Sequence, residues 1–341
     1  MPLFLPHFNL QAHNTLAVPA IAQYFVCVRT LDEVHEALAF VKAEKLPLLI
    51  LGGGSNIVLR DDFPGLVMQL RTEGKTLIAE TSEHVWLKVA AGENWHELVE
   101  YSLDEGYCGL ENLSLIPGCV GAAPIQNIGA YGVELKDVFA ELTAIELSSG
   151  VEISFTPESC RFGYRDSVFK QALKDKYLIT SVTFKLSKEP QLKLDYPALT
   201  SALSQLSKDQ LSARAVSDAV ITIRASKLPD PQQIPNAGSF FKNPVITRVQ
   251  YEKLLQRYPQ LVAYPVDECH VKLAAAWLID QAGWRGRALE GARVHELQAL
   301  VLTNPNKLAG SVVLALADQI QADVHTQFDV ELEMEPRIYP S

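Results

Sequence analysis

Apolar positions along this chain switch between a period near 3.6 and a period near 2, and the switches predict alternating helices and strands. Thr30-Leu-Asp-Glu33 reads as a capping box, and Val34, Leu38 and Val41 behind it keep helical spacing. Residues 46–51 predict a buried strand that ends at Gly52-Gly-Gly54. Past the glycines, Ile57-Val-Leu59 reads as strand, Asp61-Asp62 as a turn, and residues 66–70 as another strand. A dinucleotide-binding Rossmann unit would open a helix at this point, so the pattern disfavours that fold. Residues 85–91, 142–147 and 177–186 predict further strands, and residues 95–103 a helix.

Between them lies Ile116-Pro-Gly-Cys-Val-Gly-Ala-Ala-Pro-Ile-Gln-Asn-Ile-Gly-Ala-Tyr-Gly132, small-residue-rich and interrupted by two prolines. It cannot be a good helix throughout. So few side chains imply either close approach of a flat ligand or a tight loop between domains. Residues 187–197 break the composition and read as a linker. Beyond them residues 213–223 predict a helix ending at Leu228-Pro-Asp-Pro231, and residues 273–281 another stopping near Gly283. Residues 297–302 predict a strand and 308–324 an amphipathic helix with Val313, Leu316 and Ile320 on one stripe. Residues 328–334 predict the last strand. The second half therefore reads as mixed α/β.

With 341 residues, 48% apolar and 21% charged, the chain is globular and long enough for two or three domains. A formal charge of -10 argues against a nucleic-acid surface. No apolar run reaches a membrane span, and Pro2 and Pro6 interrupt an N-terminus without a basic segment, so neither membrane nor export is expected. Five cysteines without close pairs predict reduced thiols, and no Cys, His and Asp cluster has metal-ligand spacing, so no metal is expected. These features predict a cytoplasmic protein.

Two stretches carry candidate chemistry. Leu51-Gly-Gly-Gly-Ser-Asn56 has the backbone freedom to turn N–H groups toward a phosphate. Asn236-Ala-Gly-Ser-Phe-Phe-Lys-Asn-Pro244 sets a small hydroxyl, Ser239, between a glycine and two aromatics. With Ile116-Pro-Gly118 through Gln126-Asn-Ile-Gly-Ala-Tyr-Gly132, Cys160-Arg-Phe-Gly-Tyr-Arg-Asp-Ser167, Lys227-Leu-Pro-Asp-Pro231, Ala276-Trp-Leu-Ile-Asp280 and residues 295–304, these segments form an ordered series. In that order they resemble the UDP-N-acetylenolpyruvoylglucosamine reductase family over nearly the whole chain.

The resemblance implies an α+β fold: an N-terminal FAD-binding module of the vanillyl-alcohol oxidase/p-cresol methylhydroxylase type, residues 19–187, and a C-terminal mixed α/β substrate domain, residues 188–341. It implies FAD, non-covalent because no histidine falls in residues 52–60, NADPH as hydride source, and a nucleotide-sugar substrate for a monomer. Arg165, Ser239 and Glu335 match the catalytic positions: a cation for the substrate carboxylate, a proton donor and a carboxylate. A serine hydroxyl is a poor acid by itself, so Lys242 and Glu335 are candidates to relay its proton. Glu331 and Glu333 alternate with Glu335 and leave the carboxylate's identity open from pattern alone. Glu335 is chosen because Arg337 follows it, and Pro336 stands where the family often has valine. Tyr164, Tyr196, Lys227, Asn243, Arg285 and Gln298 match substrate positions, Tyr196 in the manner of the subgroup with a long loop over the substrate. Gly52, Gly53, Gly54, Ser55, Asn56, Pro117, Gly118, Gly121, Ala122, Gln126, Asn127, Gly129, Tyr131 and Gly132 match the flavin-binding segments, with Arg224 and Arg337 as further flavin partners. Two competing readings remain: another oxidoreductase on the same flavin module, which would lack the Ser239 motif, and a catalytically silent sensor, which would have no need to retain Arg165, Ser239 and Glu335 together.

Overall fold

The computed structural model describes residues 2–340. The chain divides into two compact units. The first comprises the segment up to Phe8 with residues 23–53 and 64–226, and the second residues 9–22 and 54–63 with the chain from Lys227 onward. Residues 188–226, placed by the composition break in a C-terminal domain, thus cluster with the first unit. The reason is a small apolar core in which Leu199, Leu203, Val216 and Val220 are buried against Tyr131, Leu192 and Leu194. Three hydrogen bonds add to it: Asn112 Nδ2 donates to the carbonyls of Tyr131 (2.8 Å) and Lys193 (2.9 Å), and the buried Ser114 and Ser217 hydroxyls share a 2.8 Å bond. A polar stretch reads as linker in sequence, yet its few leucines decide where it packs.

The first unit holds two larger sheets besides the short pair of Gly129–Ala130 with Val133–Glu134. In one, strand Leu48–Leu51 pairs in parallel with Phe63–Leu70, which adjoins Ile21–Val28 and then Leu5–Asn9. Helix Leu31–Glu44 contributes Val34 and Ala37 to the core against this sheet. Thr30 caps it by accepting from Glu33 N–H, while the Glu33 carboxylate reaches past the cap to Arg29 N–H at 2.6 Å. The other sheet is antiparallel, in the order Glu152–Phe155, Phe139–Glu146, Tyr177–Ser187, His84–Ala90 and Lys75–Glu80. Helix Trp95–Asp104, capped by Asn94, buries Trp95, Leu98 and Val99 in the same core as Val85, Leu87 and Val89 of that sheet.

No helix follows the glycines after Leu51: the chain turns and re-enters a strand at Ile57–Leu59, as the pattern predicted. That strand belongs to the second unit, where it pairs in parallel with Arg337–Tyr339. The second unit also contains a four-stranded sheet ordered Asn236–Ser239, Val301–Thr303, Ala292–Val294, Ala288–Leu289, and a three-stranded one of Val245–Thr247, His270–Leu273 and Ala263–Pro265. Helix Gly310–Phe328 buries Val313, Leu316 and Ile320, the stripe read from sequence. Its first residue must be glycine-sized, because a Cβ at Gly310 would lie 2.0 Å from the Leu59 carbonyl oxygen.

Two expected strands differ. Residues 297–300 form a turn, with Leu297 exposed and Val301 N–H bonded to Gln298 O, so the strand is only Val301–Thr303. Residues 328–334 are not a regular strand: the helix runs through Phe328, whose ring is buried against Tyr258 and Trp277, and the final strand is Arg337–Tyr339. Alternating apolar residues there reflect an extended segment joined to Phe241 by a single bridge at Met334. Among the described residues, no helix is long and apolar enough to cross a membrane.

Candidate active site

Three pieces of the first unit carry candidate chemistry. In the first, the two glycine-rich segments lie on one another. A Cβ at Gly53 would come within 3.1 Å of Gly118 Cα, and one at Gly121 within 2.5 Å of Ala91 Cβ. Gly118 itself has φ +118°, open to glycine but strained for a side chain. The Gly53 N–H bonds to the Cys119 thiol, whose pKa burial nonetheless pushes up, with Arg71 opposing. The chain beyond is a 3-10 helix, Val120–Gln126, that ends with Asn127 in the left-handed region at φ +44°. Backbone presented this closely, with no side chain between, suits a flat cofactor and its phosphates.

In the second, Arg165 stands on a tight turn. Gly163 and Asp166 exchange backbone hydrogen bonds (2.9 and 3.3 Å), leaving Tyr164 and Arg165 at the tip, with Arg165 at φ +52°. A long side chain rarely adopts this conformation and needs its surroundings to hold it. The surroundings do. Asn127 Nδ2 donates to Gly163 O (2.9 Å), Lys170 Nζ to Arg165 O (3.3 Å) and Ser167 Oγ to Ile125 O (2.6 Å). Asp166 takes Ser167 N–H and Gln171 Nε2 on its two oxygens. The Arg165 guanidinium donates through Nη2 to Gly129 O and lies 5.5 Å from the centre of the Tyr164 ring.

The third is Arg224 on helix Ala213–Lys227. Its Nε is buried without a hydrogen-bond partner among the described residues. Burial lowers its pKa, Arg165 adds to the lowering and Tyr131 opposes it. Tyr131 in turn meets the Tyr196 ring edge-on at 5.0 Å, and burial raises its pKa while Arg224 lowers it. Tyr131, Tyr196, Arg224 and Arg165, scattered over nearly a hundred positions in sequence, are thus neighbours. A buried donor without a partner and two mutually repelling cations fit an anionic or carbonyl-bearing ligand.

The second unit presents Ser239. Asn236 pairs with Thr303 and Ser239 with Val301, so two residues, Ala237 and Gly238, face one and form a bulge. Gly238 takes φ +69°, and its N–H bonds to Asn236 Oδ1 at 2.9 Å. Asn236 is itself buried, with Nδ2 bonded to Pro229 O and Ile234 O. The bulge leaves Ser239 exposed, its hydroxyl without a hydrogen bond among the described residues. Phe240, next in the chain and fully buried, accepts the Glu335 N–H through its carbonyl at 2.9 Å. Glu335 therefore sits on the segment alongside the serine. It is half-buried, whereas Glu331 and Glu333 are exposed and Glu333 pairs with Lys242. That ion pair engages the lysine expected as a relay for Ser239.

Other expected site residues fall into distinct surroundings. Asn127 is fully buried and its carboxamide is committed to protein partners: Nδ2 to Gly163 O and to Glu134 Oε2 (3.0 Å), Oδ1 from Lys136 N–H (3.1 Å). Asn243 Oδ1 accepts from Ala275 N–H at the start of helix Ala275–Gln281. Arg285 pairs with Asp280 at 2.9 Å, and Gln298 lies in the turn before Val301. Lys227 is exposed at the end of its helix. Gly54 O accepts from Thr15 N–H, and Asn56 O from Arg337 N–H, so the Gly54-Ser55-Asn56 part of the loop is tied within the second unit. Arg337 also lies 5.2 Å from the Tyr339 ring centre. Pro117, Ala122, Gln126 and Gly132 lie along the small-residue segment. Sequence reasoning passed over Asn112, Lys170 and the bracing role of Asn236; a buried amide is the only signal that the two asparagines give, and Lys170 gives none.

A family model described as UDP-N-acetylenolpyruvoylglucosamine reductase, C-terminal domain, matches residues 230–339, and one described as FAD binding domain matches residues 22–155. Proteins named UDP-N-acetylenolpyruvoylglucosamine reductase from Pseudomonas putida and Pseudomonas aeruginosa are 47% and 46% identical, over 97% of both chains and 98% of both chains respectively. The chain belongs to the UDP-N-acetylenolpyruvoylglucosamine reductase family. Its fold also matches the crystal structure of that reductase from Thermus caldophilus with a TM-score of 0.68, covering 100% of this chain and 99% of that one at 23% identity. The α+β class and the FAD-binding module expected from sequence are therefore those of the family.

Proposed function

We infer that this chain uses NADPH and FAD to reduce the enolpyruvyl double bond of UDP-N-acetylglucosamine enolpyruvate, giving UDP-N-acetylmuramate for peptidoglycan precursor synthesis. Family membership over the full length supports the reaction, and the glycine-rich cradle with the orphaned Arg224 Nε fits the cofactor. Gly52, Gly53, Gly118 and Gly121 would let the backbone approach FAD, and Arg224 would donate to it. Bound FAD supplies the hydride it has taken from NADPH.

The protein's own groups do the rest. Hydride addition to one carbon of an enol ether leaves its neighbour in an enolate-like state conjugated with the carboxylate. Arg165 holds that carboxylate, because a guanidinium forms a bidentate fork with it and stays charged at any working pH. Ser239 Oγ gives its proton to the neighbouring carbon, and Glu335 supports the serine from the adjacent segment. Tyr196, with Tyr164, Lys227, Asn243, Arg285 and Gln298, contacts the nucleotide-sugar. The enzyme works as a cytoplasmic monomer.

The observation that carries this reading is the Ser239 bulge: an exposed hydroxyl aimed by a left-handed glycine, with Glu335 bonded to the next residue. Two experiments test it. Purified protein should be yellow and release intact FAD on acid denaturation; a colourless protein that does not take up FAD would sink the reading. Mixing reduced protein with the enolpyruvyl substrate in a stopped-flow instrument should return the oxidised flavin spectrum, and failure to do so would exclude this substrate.

A further inference from the structure

Arg165 is the cation of the proposed reaction, yet its turn is strained and lies in a different stretch of chain from the glycine-rich segment. The inference here rests on that functional reading and concerns what fixes the guanidinium. We propose that Asn127 and Gly129 form a holder for Arg165, so that Asn127 is a positioning residue and not a flavin ligand.

Three observations on independent atoms support the holder. Asn127 is fully buried, so water cannot replace any of its bonds, and both its amide N–H groups and its carbonyl are engaged within the protein. One of those bonds ends on Gly163 O, the first carbonyl of the Arg165 turn; another ends on Glu134 Oε2. Glu134 lies opposite Gly129 in the short antiparallel pair Gly129–Ala130 with Val133–Glu134. The amide thus bolts the turn carrying Arg165 to the hairpin on which the guanidinium rests. That hairpin supplies the second contact, Gly129 O accepting from Arg165 Nη2.

The third observation is steric. A Cβ built on Gly129 would lie 2.9 Å from Arg165 Nη1, 3.0 Å from Glu134 Cγ and 3.0 Å from Val133 O. Gly129 is not among the residues with a left-handed backbone, so glycine is not demanded there by φ. Its missing side chain is the seat of the guanidinium. Asn127 does need its own conformation, φ +44°, which asparagine and glycine adopt more readily than other residues. Asparagine combines that backbone with the bracing amide, which no other small side chain does.

The test compares holoenzyme with Asn127→Gly, which keeps the left-handed backbone and removes only the carboxamide. FAD content and the rate of flavin bleaching by NADPH should stay within about twofold of the parent. Reoxidation by the enolpyruvyl substrate should slow ~10–100-fold, the scale of a misplaced catalytic group. Affinity for the product UDP-N-acetylmuramate, measured by calorimetry, should fall as it does in Arg165→Lys. Asn127→Gly combined with Arg165→Lys should lose little beyond Arg165→Lys alone. Equal loss in both half-reactions, loss of FAD, or multiplicative effects with Arg165→Lys would overturn the proposal. Gly129→Ala asks the same question from the other side of the guanidinium and should show the same split between half-reactions; an alanine enzyme that reoxidises and binds product at parent levels would also overturn it. If the parent itself does not react with the enolpyruvyl substrate, it is the proposed function that fails, and the product-binding comparison still reads the holder.

Discussion

Arg165 and Ser239 both stand on short departures from regular backbone, and they are held by opposite means. At the Arg165 turn the functional residue itself takes the left-handed conformation, and side chains from three other places, Asn127, Ser167 and Lys170, fix the turn around it. At the Ser239 bulge a glycine takes that conformation instead, and one buried amide, Asn236, spans the gap. The difference matches the tasks that the proposed function gives them. A cation proposed to meet a carboxylate in a set geometry needs its whole turn fixed, whereas a hydroxyl proposed to give up a proton needs only to be aimed and exposed.

The contrast can be broken at either end, and the serine end should give the larger effect. Ser239→Ala should leave FAD binding and bleaching by NADPH near normal while substrate-driven reoxidation slows ~10²–10⁴-fold; cysteine at this position should recover part of the rate. Stopped-flow absorbance decides, and an alanine enzyme reoxidising at the parent rate would pass the role to Glu335 or a water. Arg165→Lys keeps the charge but loses the fork. It should slow the same step by roughly 10²–10³ while sparing the NADPH step; equal slowing of both steps would assign Arg165 to binding or folding.

Smaller effects bear on how the two sites are held. Gly238→Ala meets no atom within 4 Å, so only its left-handed backbone opposes it. The expected cost is about 1–2 kcal/mol in denaturant unfolding, with the substrate step slowed under tenfold; an unchanged unfolding midpoint would show that the bulge tolerates side chains. Least affected should be the thiol of Cys160, fully buried at the end of the helix that precedes the Arg165 turn. Burial pushes its pKa from 9.0 up to about 12, with Glu158 adding to the shift. The folded state then keeps a proton that the unfolded chain releases, so its contribution to stability is complete below about pH 9 and is lost as pH rises toward 12. Alkylating reagents at neutral pH should label exposed Cys269 and spare Cys160 until the protein unfolds, which mass spectrometry would read directly.

The linear pattern carried much of the fold. The strand–loop–strand course after Leu51 was legible because a helix needs a run of good formers after the glycines, and Ile57-Val-Leu59 is not one. The stripe of Val313, Leu316 and Ile320 marked its helix for the same local reason. Residues 328–334 misled because buried residues alternate in any extended segment, whether or not it finds a strand partner. The partners of Asn127 were not legible from its motif, because its carboxamide is engaged by residues 134, 136 and 163.

The order of amino acids was enough to establish the succession of helices and strands, the glycine-rich segments, and a motif series specific enough to name a family. Those features depend on neighbours along the chain or on residue types, which a linear string records. It took the folded chain to show that residues 188–226 join the first unit, that Glu335 and not Glu333 lies half-buried on the segment beside Ser239, and that Arg224 Nε is a buried donor without a partner among the described residues. These depend on which surfaces meet after the chain folds back, and burial and hydrogen bonding between distant residues leave no periodic trace in the order of amino acids.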